Sequence, residues 1–413
     1  MNIQKYPGIN EKIKNIHRAD LPYFWLLKEA GYKEKNQIIF FGGASKDFDS
    51  SVDMPAYIKM TNRCLDYVRQ HFGNYELYYK PHPADPDEQK LLDLRLFKVI
   101  NEKNNAEMFL LKNTVRIKCA FAVNSWAAAS AYGFGISSYL FLPLFKNIFG
   151  EKVFAAIFDC FPGMPESFFI DNLERPLIEN AVDFQKDEIF EENFRRILNE
   201  KSGKIWFVIA ITDYVAIIMS LAKMIKLIDP ARPLNLIIFK HHRWDSVDLG
   251  ELKPHFKEIL IFPRLFYSLR PSRLIKAIKM ARAIKNLKIG AEDIIVGASH
   301  FELAENCLIS YHKSAKKIAL LTEKEFHLFY ETEHYGDVNF RQNKAGLFYN
   351  KILEPLLGLH RTLFFSQAGG DIFNLTRYQR PLNELYEEVY ILGAPRTNEN
   401  LLNRNVALLQ RVK

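Results

Sequence analysis

The chain has 413 residues, 56 of them Lys or Arg and 48 Asp or Glu, for a net charge of +8. That length allows two domains with large buried cores. The four scattered cysteines (Cys64, Cys119, Cys160, Cys307), without a CxxC pair or histidines at ligand spacing, exclude a disulfide scaffold and a zinc module.

The first twenty residues lack an apolar core, so no secretory signal is read there. Residues 37–41 read as a buried strand ending in Gly42-Gly43-Ala44-Ser45, and a helix with one apolar face is expected over 55–72. A strand at 75–79 runs into Lys80-Pro81-His82-Pro83, and Asp85-Pro86-Asp87-Glu88 reads as an acidic helix start. Further strands are expected at 116–123 and 139–142, with a short Ala-rich helix at 125–132 between them.

An amphipathic helix at 189–198 leads to Lys201-Ser202-Gly203-Lys204, read as the linker between two domains spanning 1–200 and 204–413. Strands at 205–211, 234–239, 293–296, 317–321 and 388–392 and a helix at 214–227 follow. The apolar stretch 205–221 is interrupted by Asp213 and is shorter than the ~20 residues that span a bilayer, so a buried strand and helix are expected there. Strand–helix alternation predicts an α/β fold with parallel sheets in both halves. Charge separates them: residues 1–200 carry 25 basic and 27 acidic residues, and residues 201–413 carry 31 and 21. The second half is expected to face something anionic.

Two prolines hold His82 at the C-terminal end of its strand, where parallel α/β sheets bind ligands. A histidine there can hydrogen-bond a phosphate or pass it a proton. Gly42 and Gly43 can present backbone amides to a phosphate, though the turn is neither a Walker loop nor a dinucleotide fingerprint. Ser137 and Ser138, in Gly-Ile-Ser-Ser-Tyr, enter an apolar strand and offer two uncharged hydroxyls.

Together, the Lys-Pro-His-Pro segment and the serine pair resemble the bacterial GT-B sialyltransferases, a group that includes lipooligosaccharide sialyltransferases, capsular polysialyltransferases and related CMP-Kdo transferases. The resemblance covers residues 35–145. It implies two Rossmann-like domains in a GT-B-like architecture, and metal-independent, inverting transfer of a sialic or Kdo-like acid from a CMP-activated donor to a surface glycan. No cofactor beyond that donor is implied. His82 would stabilise or protonate the departing nucleotide, Lys80 would belong to the same motif, Ser137 and Ser138 would hold the phosphate, and Ser125 would lie near the ribose. The chain departs from the family in domain order, because the nucleotide half comes first, and in having Tyr139 after the serine pair.

The acceptor hydroxyl must lose a proton, which calls for a carboxylate. Glu333 and Glu331, then Asp337, stand in an acidic loop that replaces the family's acid–acid–Gly motif, and Asp213 follows the first strand of the second half. Ser299 and His300, after the strand at 293–296, are read either as acceptor contacts or as a helix cap beside a half-buried histidine. A basic residue recurs at every third position from Arg270 to Lys288. That period drifts around a helix, so a solvated helix is expected, with contact to an anionic membrane or glycan as the functional alternative. No aromatic–basic pattern supports nucleic-acid binding. A cytoplasmic protein, peripheral at the inner membrane face and compatible with an oligomer, is the resulting expectation. Rival readings are a non-catalytic member that binds nucleotide or glycan, a tandem fragment whose site another chain completes, and a transferase using a UDP- or GDP-sugar.

Overall fold

The structure is a computed structural model that describes residues 16–27, 35–43, 52–82, 85, 87–102, 105–161, 163–180, 186–241, 244–245, 247–265, 268–297, 303–323, 348–359 and 386–393. Its strands are β1 (Ile16–Asp20), β2 (Gln37–Phe41), β3 (Glu76–Lys80), β4 (Phe97–Val99), β5 (Ile117–Ala122), β6 (Ser137–Leu140), β7 (Ile205–Ile209), β8 (Leu234–Lys240), β9 (Glu258–Pro263), β10 (Ile294–Gly297), β11 (Lys316–Thr322) and β12 (Glu388–Gly393). The helices used below are α1 (Phe24–Leu27), α2 (Met54–Phe72), α3 (Ala106–Asn113), α4 (Trp126–Gly133), α5 (Lys146–Phe158), α6 (Glu188–Glu200), α7 (Val215–Ile228), α8 (Pro271–Lys285) and α9 (Leu303–Tyr311).

The chain divides into two compact units. One is built on Tyr23–Lys186, the other on Asp187–Leu392 together with the segment before Tyr23. The first holds a five-stranded sheet in the order β4-β3-β2-β5-β6, with every neighbouring pair parallel. Numbered within the unit, that order is 3-2-1-4-5, in which the sheet grows one way from β2 and then the other, leaving a topological switch point between β2 and β5. The strands are near-continuous apolar runs because helices cover both faces of such a sheet: Ile38, Ile39, Phe40 and Phe121 are all buried. Asp53 caps α2 by accepting from Ala56 N at 3.0 Å with Pro55 in the first turn, and the helix buries Tyr57, Cys64, Leu65, Val68 and Phe72 along one face.

The second unit holds a seven-stranded sheet in the order β1-β12-β11-β10-β7-β8-β9. From β9 to β12 this is a 3-2-1-4-5-6 arrangement, parallel through β9-β8-β7-β10-β11-β12, with its switch point between β7 and β10. Its α7 is buried over most of its circumference, as a helix apolar all round must be. No described helix is long and apolar enough to cross a membrane.

Two boundaries differ from the sequence reading. Residues 201–204 do not separate the units. They lead from α6 into β7 within one unit, held by Arg232, which donates to the carbonyls of Leu198 at 2.8 Å and Gly203 at 2.9 Å and also to that of Lys201. The unit boundary is at Asp187, the N-cap of α6, whose carboxylate accepts from Phe190 N at 2.9 Å and Asp20 N at 3.0 Å. Secondly, β1 is an edge strand of the second unit's sheet. Its His17 bonds Glu388 on β12 at 3.1 Å, and Arg196 and Lys316 face the same carboxylate at 2.7 and 3.4 Å. Burial alone would raise the Glu388 carboxyl. The bonds from His17 and Arg196, with the charges of Lys316 and Arg196, overcome that and hold it at about 2.

Candidate functional site

Register fixes what shares the binding edge of the first sheet. Lys80, Phe41 and Ala122 lie side by side at the ends of β3, β2 and β5. Two residues beyond these paired ends come His82, Gly43 and Asn124, all in the loops that leave the same C-terminal edge of the sheet. The Asn124 side chain reaches Gly43: a Cβ on that glycine would lie 3.0 Å from Asn124 Oδ1. Ser125 follows as the N-cap of α4, accepting from Ala127 N at 3.3 Å. The helix N-terminus therefore opens at the switch point, where helix amides and dipole favour a phosphate. His82 is half-buried, and its carbonyl accepts from Asp85 N at 3.0 Å.

Beneath these loops lies a buried polar cluster that the sequence reading missed. Glu88, 2% exposed, accepts from Gly43 N at 2.9 Å, Tyr57 Oη at 3.0 Å and Tyr79 Oη at 3.1 Å. One carboxylate thus ties α2, β3 and the loop after β2 to the turn that follows His82. Burial pushes its carboxyl up to about 7. The two tyrosine hydroxyls and the Gly43 amide act against that shift, and the nearby Asp85 charge adds to it. The sequence signal was present but indirect: Tyr57 lies on the apolar face of a helix and Tyr79 in a buried strand, and buried phenols need partners. Glu88 is in a single 3-10 turn, Glu88–Leu91, and not in the longer helix that the acidic run predicts.

The glycine pair has a different role from the one expected. Gly42 N donates to Lys80 O at 2.9 Å and Gly43 N to Glu88, so both amides are engaged within the protein and neither is turned to a phosphate. Glycine is required for space: a Cβ at Gly42 would collide with the Tyr79 hydroxyl, and one at Gly43 would come within 2.7 Å of Tyr57 Oη. Gly43→Ala is expected to cost about 2 kcal/mol by overpacking, seen as a lowered unfolding midpoint in thermal denaturation.

Lys80 is also turned inward. It is 3% exposed, donates to Glu102 O at 3.1 Å and lies 5.6 Å over the Phe109 ring, and burial lowers its pKa against the pull of Glu102 and Glu107.

The serine pair is likewise placed away from the C-terminal edge of the sheet. Ser137 and Ser138 are the first two residues of β6, beside Cys119 and Ala120 in the body of β5, and the strand ends at Leu140, two residues short of the expectation. Ser138 Oγ donates to Ala128 O at 2.8 Å, while Ser138 N and O are both bonded to the Asn180 amide, at 2.9 and 2.6 Å. Counting three strand spacings across and four residues along, Ser138 is roughly 19 Å from His82. The two do not form one phosphate clamp. A hydroxyl inside a buried strand must find an acceptor, and here it is a helix carbonyl. Ser138→Ala is therefore expected to cost about 1 kcal/mol of stability and to leave nucleotide affinity unchanged by calorimetric titration.

In the second unit, Asp213 lies half-buried in the 3-10 turn Thr212–Tyr214 after β7, where its Oδ1 accepts from Thr212 Oγ1 at 3.4 Å. That places it at the switch point of its own sheet, opposite the end of β10 at Gly297. Ser299, His300, Glu331, Glu333 and Asp337 lie outside the described residues. Among the described residues no three His, Cys, Asp or Glu side chains are grouped to hold a metal ion. The four cysteines are free thiols, three of them buried.

The fold and site define an α/β protein with two parallel, doubly wound sheets. No family model, no curated protein and no solved structure matches the chain.

Proposed function

We propose that the protein is a glycosyltransferase of the GT-B type, using a nucleotide-activated sugar whose phosphate lies at the switch point of the first sheet. The observation that supports this reading is that His82, Gly43 and Asn124 follow the paired C-terminal ends of β3, β2 and β5, with α4 opening at Ser125 at the switch point. The Lys-Pro-His-Pro resemblance makes a CMP-linked sialic or Kdo-like acid the donor to test first, and a glycan hydroxyl the acceptor.

In this reading the phosphate meets His82 on one side and Asn124, Ser125 and the first turn of α4 on the other. It does not meet Ser137, Ser138 or Lys80. The acceptor oxygen attacks the anomeric carbon while the bond from that carbon to the phosphate oxygen breaks, inverting the centre without a covalent intermediate. His82 hydrogen-bonds or protonates the departing CMP. A carboxylate takes the acceptor proton. Asp213 is the candidate at a strand end of the second sheet, and Glu333 and Glu331 are the candidates from the acidic loop.

Calorimetric titration with CMP, UMP and GDP, followed by donor-hydrolysis assays with CMP-sialic acid, CMP-Kdo and UDP-sugars, tests the reading. Binding of CMP with turnover of a CMP-sugar is the expected result. CMP binding without turnover of any donor leaves a nucleotide-binding protein in place of an enzyme. A chain that binds none of the three nucleotides is not a transferase of this kind.

A further inference from the structure

Between Glu258 and Glu292 the sequence holds eight basic residues and no acidic one. Seven of them, Arg270, Arg273, Lys276, Lys279, Arg282, Lys285 and Lys288, fall on α8 or within three residues of its ends. A period of three should carry some of them round to the buried side, yet all seven are exposed. The reason is the narrowness of the packed stripe. Only Ala277, Met280, Ala281 and Ile284 are buried, as one thin helical face against the core with Leu274 and Ile278 partly buried beside it, and the remaining positions of the helix are exposed.

None of the seven forms an ion pair with an acidic side chain among the described residues. Lys285 lies 5.7 Å over the Tyr311 ring, and the others face solvent. Within this cationic face Ile275 is 54% exposed and Leu269 is 47% exposed. An apolar side chain held in solvent among like charges stabilises nothing in the isolated unit. At a lipid headgroup boundary both features become favourable, with the cations meeting anionic phosphates and the isoleucine entering the acyl edge.

We propose that the outward face of α8 is a docking surface for an anionic lipid bilayer, with Lys276, Lys279 and Arg282 meeting headgroups around an inserted Ile275. A polyanionic glycan or nucleic acid would use the charges but not the exposed isoleucine. No helix here crosses a bilayer among the described residues, so the contact is peripheral. The surface does not depend on the nucleotide reading given above.

The test is co-sedimentation of the full chain with phosphatidylcholine vesicles, with and without phosphatidylglycerol. The wild type should sediment with the anionic vesicles only, and added salt should release it. The triple variant K276Q/K279Q/R282Q should bind about a hundredfold more weakly, since each basic residue at an anionic surface contributes about fivefold. I275S should weaken binding with the charge of the patch unchanged. Circular dichroism melts should be unchanged in both variants, whose substituted side chains are exposed. Equal binding to neutral and anionic vesicles overturns the proposal. So does wild-type affinity in the triple variant, or binding to heparin or DNA without binding to vesicles.

Discussion

Glu88→Ala is expected to destabilise the first unit by about 4 kcal/mol, because it removes the acceptor shared by three buried donors. The Gly43 amide and the Tyr57 and Tyr79 hydroxyls would be left without their common acceptor. Few single changes at a side chain this buried combine a cavity with three orphaned groups. Scanning calorimetry should show one transition moving and the other staying in place, since the affected residues all belong to Tyr23–Lys186.

Glu88→Gln keeps the shape and separates the charge effect from the cavity. The wild-type carboxyl titrates near 7 when folded and near 4.5 when unfolded. Between those values the folded state binds the extra proton, so the first unit should gain stability as pH falls from about 7 to about 4.5. The linkage amounts to about 3 kcal/mol at most. That gain should vanish in Glu88→Gln. A wild type whose midpoint is flat across this range would show that the carboxylate is better solvated than its surroundings imply.

The second large effect concerns His82. In the proposed reaction its loss removes the group that stabilises or protonates the departing phosphate, and His82→Ala should lower donor turnover by roughly two to four orders of magnitude. The unfolding midpoint should change little, because the side chain is half-exposed and the bond from Asp85 N is made to its backbone. Ser138→Ala is the informative partner experiment. A serine at the phosphate would lose affinity when truncated, whereas a serine bonded to Ala128 O loses only stability. A His82→Ala protein that turns donor over at the wild-type rate would place the chemistry elsewhere.

Much of the architecture was legible because buried parallel strands have few ways to be written. Gln37–Phe41, Ile205–Ile209 and Leu234–Lys240 read as short apolar runs, and their alternation with helices gave two parallel sheets before any coordinates. The edge strand Ile16–Asp20 was illegible for the complementary reason. Ile-His-Arg-Ala-Asp has no apolar run, and it becomes a strand only because β12 offers a partner and Glu388 a counter-charge.

The site was half legible. Two prolines around His82 fix a strand end whatever else the fold does, so that reading depended on local geometry alone. The serine pair depended on register, which sequence spacing does not supply. Register sets Ser138 level with Tyr78, in the body of the sheet, and not with the strand end that precedes His82. The glycine pair showed that glycine was needed without showing why, and the answer was a tyrosine hydroxyl behind each one.

The pairing of β1 with β12 has a consequence for how the chain is made. His17 and Glu388 are 371 residues apart, and the whole five-stranded sheet of the first unit lies between them. As the chain leaves the ribosome, residues 23–186 hold a complete five-stranded sheet and can fold at once. The strand ahead of them must wait, unpaired, until β12 has been synthesised. The sheet of the second unit is therefore the late one, with a closure step of high contact order, and a nascent chain halted before residue 388 would contain one complete sheet and one with an open edge.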